Sequence, residues 1–175
     1  MDYITKALSR KEIRVFSRIF RRLFDVNDDV SEFPVLYALE KVSDVFKDTT
    51  VSILEDNELP FNVPARCYPN ESGGFTIEIK NSVYTGAYEK KIGAYLGFIC
   101  HEMCHIFLYK MGYTPLLERR FGNNELPAYE SVEWQAKALC GEVMMPYEAT
   151  KNMSGEQIMK RYHVSKGFVE HRRKY

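Results

Sequence analysis

The residues with the clearest capacity for chemistry form an H-E-x-x-H motif, made of His101, Glu102 and His105. A helix repeats every 3.6 residues, so histidines four positions apart share one face and can direct both imidazoles at one point. Two neutral imidazoles at this spacing suit a zinc ion at about 2.0–2.1 Å. Glu102 lies about 100° around the helix from His101, where its carboxylate can reach a water on the metal. The motif therefore predicts two metal ligands and a general base.

The residues around the motif predict a buried helix at about 89–110 that ends before Gly112, a typical C-cap residue. Two histidines and a glutamate in such an apolar helix need polar partners. Hydrogen-bonded core histidines are the alternative interpretation, and a third ligand would argue against it. The apolar flanking residues are Leu96, Phe98, Ile99, Ile106, Phe107 and Leu108.

A catalytic zinc ion needs a third protein ligand and an open position for water. Glu133 lies early in a helix predicted at 128–145, on the face with apolar neighbours. It would complete the His₂Glu set that is found in thermolysin-like zinc proteases. Glu130, on the same face one turn earlier, is the competing candidate. His163 and His171 lie in a basic tail and are predicted to be surface or packing residues.

The overall composition narrows the class of protein. A chain of 175 residues, 45% of them hydrophobic, predicts one globular domain or one domain with a small appendage. Its 24 basic and 24 acidic residues cancel, which argues against nucleic-acid or membrane binding by the whole surface. No apolar run approaches about 18 residues and the N-terminus lacks a continuous apolar stretch. We therefore expect neither a membrane span nor a secretory signal.

The four cysteines are not spaced as in a disulfide framework: they are Cys67, Cys100, Cys104 and Cys140. Reduced thiols in a cytoplasmic protein fit this pattern best. Cys100 and Cys104 each precede a histidine of the motif. We interpret them as small buried packing residues, with a thiol switch as the alternative.

Hydrophobic periodicity predicts an α+β fold that is mainly helical. Amphipathic helices are predicted at 3–24 and 33–47. Alternating β-branched residues at 49–54 and 75–79, with a proline-containing edge segment at 61–69, predict a short antiparallel sheet of about three strands.

The segments after the motif helix are a predicted loop and three further helices. The loop at 114–127 either borders a substrate cleft or is a plain surface connection. A capping box at 154–157 opens a short helix, and a last helix is predicted at 166–174. This basic pair loosely resembles a helix-turn-helix, but a packing hairpin is the preferred interpretation.

The two segments with the predicted ligands resemble the ImmA/IrrE metallopeptidase family. The first, 81–105, contains N-x-V-Y-x-x-A, an apolar lead-in and the H-E-x-x-H motif. The second, 133–146, is similar to the family pattern E-x-x-A-x-x-F-A-x-x-L-L-M-P. The tail at 162–165 is also similar, and the resemblance covers most of residues 33–170.

The resemblance implies a small zincin-like protease of the cytoplasm with one Zn²⁺ per chain. His101, His105 and Glu133 match the family's metal ligands, and Glu102 matches its catalytic base. Members typically cleave or control a helix-turn-helix repressor, so such a protein is the expected substrate. A membrane partner is not expected, and direct nucleic-acid binding is disfavoured.

The expected organisation is a zincin-like metallopeptidase domain at 1–150, which includes the basic helix 3–24, and a C-terminal helical hairpin at 151–175 packed on it. Many family members have Asn or Asp where this chain has Lys137, which cannot accept an imidazole N–H. Hydrogen bonds that orient a ligand histidine matter about 10–100-fold. We therefore expect reduced activity rather than loss of the metal. Gln135 stands where many family members have a second acidic residue.

Two other functions stay open. The first is a non-catalytic anti-repressor, in which the zinc is structural and the partner is bound but not cut; Lys137 favours this possibility. The second is a DNA-binding module that uses the basic ends, residues 1–24 and 160–175. A solvated helix face is the preferred interpretation of the first of these ends, because charge runs usually only solubilise.

Overall fold

The computed structural model describes residues 2–116 and 126–173, so most of the loop predicted at 114–127 lies outside the described residues. The fold is mixed α+β and mainly helical, with one three-stranded sheet in this part of the chain, which confirms the predicted class. The elements are α1 (Arg10–Leu23), α2 (Val35–Glu40), α3 (Val42–Val45), β1 (Thr50–Leu54), β2 (Ala65–Pro69), β3 (Phe75–Lys80), α4 (Asn81–Lys90), α5 (Gly93–Lys110), a 3₁₀ turn (Ala128–Glu130), α6 (Val132–Met144), α7 (Tyr147–Thr150), α8 (Gly155–Tyr162) and α9 (Lys166–Arg173).

The sheet is mixed, whereas the sequence predicted an antiparallel one. The strand order is β1-β3-β2, with β3 parallel to β1 and antiparallel to β2. The loop after β1 reverses the chain and carries it to the far edge, where β2 forms. A tight turn at 70–74 then returns β3 into the gap between them, so β3 runs in the direction of β1. Strand patterns locate the strands, but this crossover is a tertiary property.

The basic helix predicted at 3–24 begins only at Arg10. Ser9 and Glu12 form a reciprocal capping box that sets this start. Residues 2–8 are extended instead and pair with the segment before α6: Thr5 N–H donates to the Glu130 carbonyl at 2.8 Å. This extended segment lies beside Glu133 and the cavity that contains it.

The helix predicted at 89–110 begins at Gly93, and the residues before it form the separate helix α4. Lys91 separates the two helices with a left-handed backbone, φ 49°. A side chain at Gly93 would place its Cβ 2.4 Å from the His163 carbonyl oxygen, so the close approach of the tail requires glycine here. The helix predicted at 33–47 is likewise divided at Lys41 into α2 and α3.

Helix α5 lies at the centre of the fold and packs against α2, α4, α6 and the sheet. Most of its apolar residues belong to one hydrophobic core that extends from Leu8 to Val169, but Phe98 is 39% exposed. Among the described residues no single helix is both long and apolar enough to cross a membrane. One pair, α4 with α5, meets that length and composition test jointly but is bent by 118°.

The C-terminal helices form a packed hairpin. Ile158, Tyr162 and Val169 are buried in the common core. The Arg172 guanidinium donates to the Glu142 carboxylate at 2.5 Å, which ties α9 to α6. The predicted capping box of α8 is present.

A buried arginine joins α1 to α6. The Arg21 side chain is 1% exposed and donates to three carbonyl oxygens: Asp28 at 3.1 Å, Ser31 at 2.7 Å and Val143 at 2.6 Å. The bond to Val143 is buried and the bonds to Asp28 and Ser31 are partly buried, so the guanidinium holds helix α1, the loop after it and the end of α6 together.

Replacing Arg21 by methionine should therefore lower the free energy of unfolding by about 3 kcal/mol or more, since three carbonyl groups lose their donor. Urea denaturation followed by circular dichroism measures this. Arg22→Met, one residue on at an exposed position of the same helix, is the matched control and should change stability by less than about 0.5 kcal/mol. Equal losses of stability in Arg21→Met and Arg22→Met would show that the hydrogen bonds of Arg21 do not stabilise the fold.

Candidate metal centre and its cleft

The structure brings His101, His105 and Glu133 together. The Nε2 atoms of His101 and His105 are 2.9 Å apart, as expected for residues one turn apart on α5. The Glu133 carboxylate faces both rings from α6, with Oε2 at 3.4 Å from the His101 Nε2 and Oε1 at 3.2 Å from the His105 Nε2. Among the described residues, Glu130 is not part of this group of potential metal ligands.

These distances fit a small metal ion. Ligand bonds of about 2.0–2.1 Å in a tetrahedral site separate the ligand atoms by about 3.3 Å. The three separations of 2.9, 3.4 and 3.2 Å lie around this value. The Glu133 side chain is 42% exposed, which leaves one side of the triangle open for water or substrate. Two imidazoles and one carboxylate are a donor set that zinc accepts.

The position of Glu133 depends on the start of α6. Ser131 caps this helix by accepting from the Trp134 N–H at 2.8 Å. The Asp2 carboxylate accepts from the Ser131 hydroxyl at 2.5 Å and from the Glu133 N–H at 3.2 Å. The extended N-terminal segment is therefore a clamp on the first turn of α6. The sequence prediction missed this role of Asp2, because a helix was predicted to begin at residue 3, directly after it.

The electrostatics of the group favour an ionised carboxylate. Hydrogen bonds from His101 and His105 hold the pKa of Glu133 well below its usual range, against the opposing effect of its partial burial. Glu133 is therefore an anion at neutral pH, which is the protonation state in which a carboxylate binds a metal.

Glu102 lies beside the triangle and not within it. It borders the two cavities that meet at His101 and Glu133. The thiol of Cys67 on β2 is its neighbour across the cleft: burial raises the pKa of Cys67, and the Glu102 carboxylate adds to the increase. A carboxylate next to the predicted metal position, but outside the ligand set, is placed as a general base requires.

The cleft over the site is formed by these two cavities, of about 510 Å³ and 660 Å³. The first lies between β2 and the N-terminal segment. The second lies toward α9 and is bordered by Lys137, whose side chain is exposed. Because both cavities contain His101, Glu102 and Glu133, the groove passes over the triangle from one side to the other.

The H-E-x-x-H helix, the glutamate of the following helix and the open groove together define a site of the metallopeptidase type. The family model described as the IrrE N-terminal-like domain, Peptidase_M78, matches residues 97–174. This segment contains both histidines and Glu133, so it is similar to that family where the predicted ligands lie, and the predicted resemblance is confirmed. Comparison with curated proteins gave no significant match, and comparison with solved structures gave none either.

The geometry predicts one metal ion per purified chain, with loss of the ion in His105→Ala and in Glu133→Ala, because each variant removes one of three ligands. Inductively coupled plasma mass spectrometry measures the content and identity of the metal. Glu130→Gln tests the competing ligand and should keep the full content. If Glu133→Ala keeps the metal and Glu130→Gln loses it, Glu130 and not Glu133 is the third ligand.

Proposed function

We propose that the chain is a zinc-dependent endopeptidase that hydrolyses a peptide bond of a regulatory protein. The observation that carries this proposal is the triangle of His101, His105 and Glu133 with Glu102 beside it in an open groove. The match to a peptidase family over residues 97–174 supports the same class of reaction.

The roles of the residues follow from their positions. His101, His105 and Glu133 would hold the ion. Zinc supplies a Lewis acid that polarises a scissile carbonyl and lowers the pKa of water toward about 7. Glu102 takes a proton from the attacking water and passes it to the leaving amine, so that one carboxylate serves as base and then as acid.

The groove suits an extended peptide. β2 is an edge strand of the sheet in the described chain and forms one wall of the 510 Å³ cavity. Its residues Ala65, Cys67 and Pro69 alternate along the strand and all border this cavity. An edge strand can pair with an extended substrate backbone, which gives affinity with little demand on sequence.

A donor for the oxyanion of the tetrahedral intermediate completes the proposed machinery. Of the twelve tyrosines, the described ones that border the groove are Tyr3, Tyr109 and Tyr113, and His171 borders it on the other side. The donor is the residue whose replacement by phenylalanine, or by glutamine for His171, lowers kcat while the metal content stays unchanged.

We propose a helix-turn-helix repressor in the cytoplasm as the substrate. This part of the proposal rests on the resemblance to ImmA/IrrE proteins. The contacts of the basic ends support a protein substrate over DNA, because several of their cations already have partners within the fold. Arg18 pairs with Asp29 at 3.5 Å, the Arg14 guanidinium lies 4.0 Å from the centre of the Tyr147 ring, and Arg172 pairs with Glu142.

A non-catalytic anti-repressor on the same fold is the second candidate, and Lys137 is the observation that favours it. Its exposed ammonium borders the same cavity as His101 and Glu133. A lysine at this position cannot orient a ligand imidazole by accepting its N–H. In this case the partner would be bound and remain full length.

The Glu102→Gln variant distinguishes the two candidates. It should keep the metal and lose about 10²–10⁴-fold in cleavage rate, because an amide cannot take the proton from water. Immobilised Glu102→Gln should capture an intact repressor from the source cells, and wild-type protein should cut that repressor at one bond, as measured by mass spectrometry.

Glu89→Gln, an exposed glutamate on α4, is the matched control and should cleave at the wild-type rate. Equal cleavage rates in Glu102→Gln and wild type would show that Glu102 is not the general base. A captured repressor that wild-type protein leaves uncut would favour the anti-repressor.

A second prediction concerns Lys137. Lys137→Asn should raise kcat/KM or metal affinity about 10–100-fold, since the amide oxygen can accept an imidazole N–H. Metal competition with a chelator and peptide-cleavage kinetics measure the two quantities. Lys160→Asn on the exposed face of α8 should change neither. If Lys137→Asn also leaves both unchanged, this lysine does not limit the site.

A further inference from the structure

A second group of metal-binding side chains lies under the candidate active site. The Sγ atoms of Cys100 and Cys104 on α5 and of Cys140 on α6 all lie within 4.8 Å of one another. The three residues are 0%, 0% and 1% exposed. All four cysteines of the chain are described, and none is in a disulfide. Three buried thiols therefore converge on one point between two helices.

A fourth sulfur atom adjoins this group. The Sγ of Cys140 lies 3.9 Å from the thioether sulfur of Met144, one turn further along α6. Met144 is also buried, at 3% exposure. The Cys140 thiol faces the Gly97 carbonyl oxygen at 3.6 Å, a distance that reflects the close approach of α5 and α6. The potential ligands at this point are thus three thiols and one thioether.

All-sulfur ligand sets select soft ions. Thiolates bind both Cu(I) and zinc, but a thioether favours Cu(I), because zinc in proteins is held by thiolate, imidazole and carboxylate ligands. Metal–sulfur bonds of about 2.3 Å in a trigonal plane place the sulfur atoms about 4 Å apart. The thiols already lie within 4.8 Å of one another, so small side-chain rotations are enough to close the site.

The surroundings provide a route of entry and a compensating charge. Cys140 borders the 660 Å³ cavity of the cleft, whereas Cys100 and Cys104 lie behind it, so an ion would enter on the side of Cys140. The buried Arg21 guanidinium donates to the carbonyl of Val143, between Cys140 and Met144 in the chain. A cation at this depth offsets the negative charge that three thiolates around a monovalent ion would carry.

We propose that Cys100, Cys104 and Cys140 form a binding site for one Cu(I) ion, with Met144 as an additional weak ligand. The site is distinct from the triangle of His101, His105 and Glu133, and the inference stands whether or not the chain is a peptidase. It differs from simple packing because small apolar residues would fill the same space without four converging sulfur atoms.

The test is an anaerobic titration of the full-length protein, carrying its resident metal, with Cu(I) in competition with a chromophoric Cu(I) chelator. We expect one Cu(I) per chain, ultraviolet sulfur-to-copper charge-transfer absorption and no release of the resident metal. Cys104→Ala and Cys140→Ala should each weaken Cu(I) binding at least about tenfold, because a ligand is lost. Cys67→Ala, a thiol outside the group, is the matched control and should bind as wild type does.

Unchanged Cu(I) affinity in both Cys104→Ala and Cys140→Ala would overturn the proposal, as would release of one resident ion for each Cu(I) bound. X-ray absorption of the copper-loaded wild-type protein provides a readout that needs no variant. A shell of sulfur atoms at about 2.3 Å supports the site, and a shell of nitrogen or oxygen atoms overturns it.

Discussion

The contact between α5 and α6 is the interaction on which the rest of the structure depends. One helix supplies His101 and His105 and the other supplies Glu133, and neither helix alone contains three ligands in reach of one ion. The helices approach closely enough for the Cys140 thiol to face the Gly97 carbonyl. The buried side chains of Cys100, Cys104 and Cys140 pack between the two helices, and this packing brings the carboxylate to the imidazoles.

The position of α6 is in turn set from both ends by polar contacts. At its start, Asp2 and Ser131 bind the first-turn N–H groups, and at its end Arg21 binds the Val143 carbonyl. These groups satisfy backbone positions that a helix leaves without partners. The basic helix α1, which by charge alone could have been a nucleic-acid surface, thus contributes a structural cation to the centre of the fold.

The family segment and the rest of the chain contribute different parts of the cleft. Residues 97–174 match the peptidase family and include both ligand helices. The sheet lies outside this segment, and it provides the edge strand β2 and Cys67 beside Glu102. The N-terminal segment provides Tyr3 to the cleft wall, and its Asp2 holds the start of α6. The proposed base is therefore supplied by the family segment, while one wall of the groove is supplied by residues before it.

Much of this arrangement could be predicted because it depends on local patterns. The i, i+4 spacing placed His101 and His105 on one face of a helix, and the apolar face of the next helix indicated Glu133. Capping boxes depend on four consecutive residues, and the one at Ser154 was predicted. The one at Ser9 was not, so helix α1 was predicted to begin at residue 3 and not at Arg10. The mainly helical α+β class follows from the same periodicities.

The sequence by itself determined the helix and strand types, the motif that places two imidazoles together and the mixed composition of the fold. Only the tertiary structure decided the parallel pairing of β1 with β3, the clamp of Asp2 on α6 and the convergence of Cys100, Cys104 and Cys140. The physical reason is the separation along the chain of the residues that interact. Periodicity and capping act over a few residues, whereas these contacts join positions far apart in the chain, and only the packing of the whole core determines which of them meet.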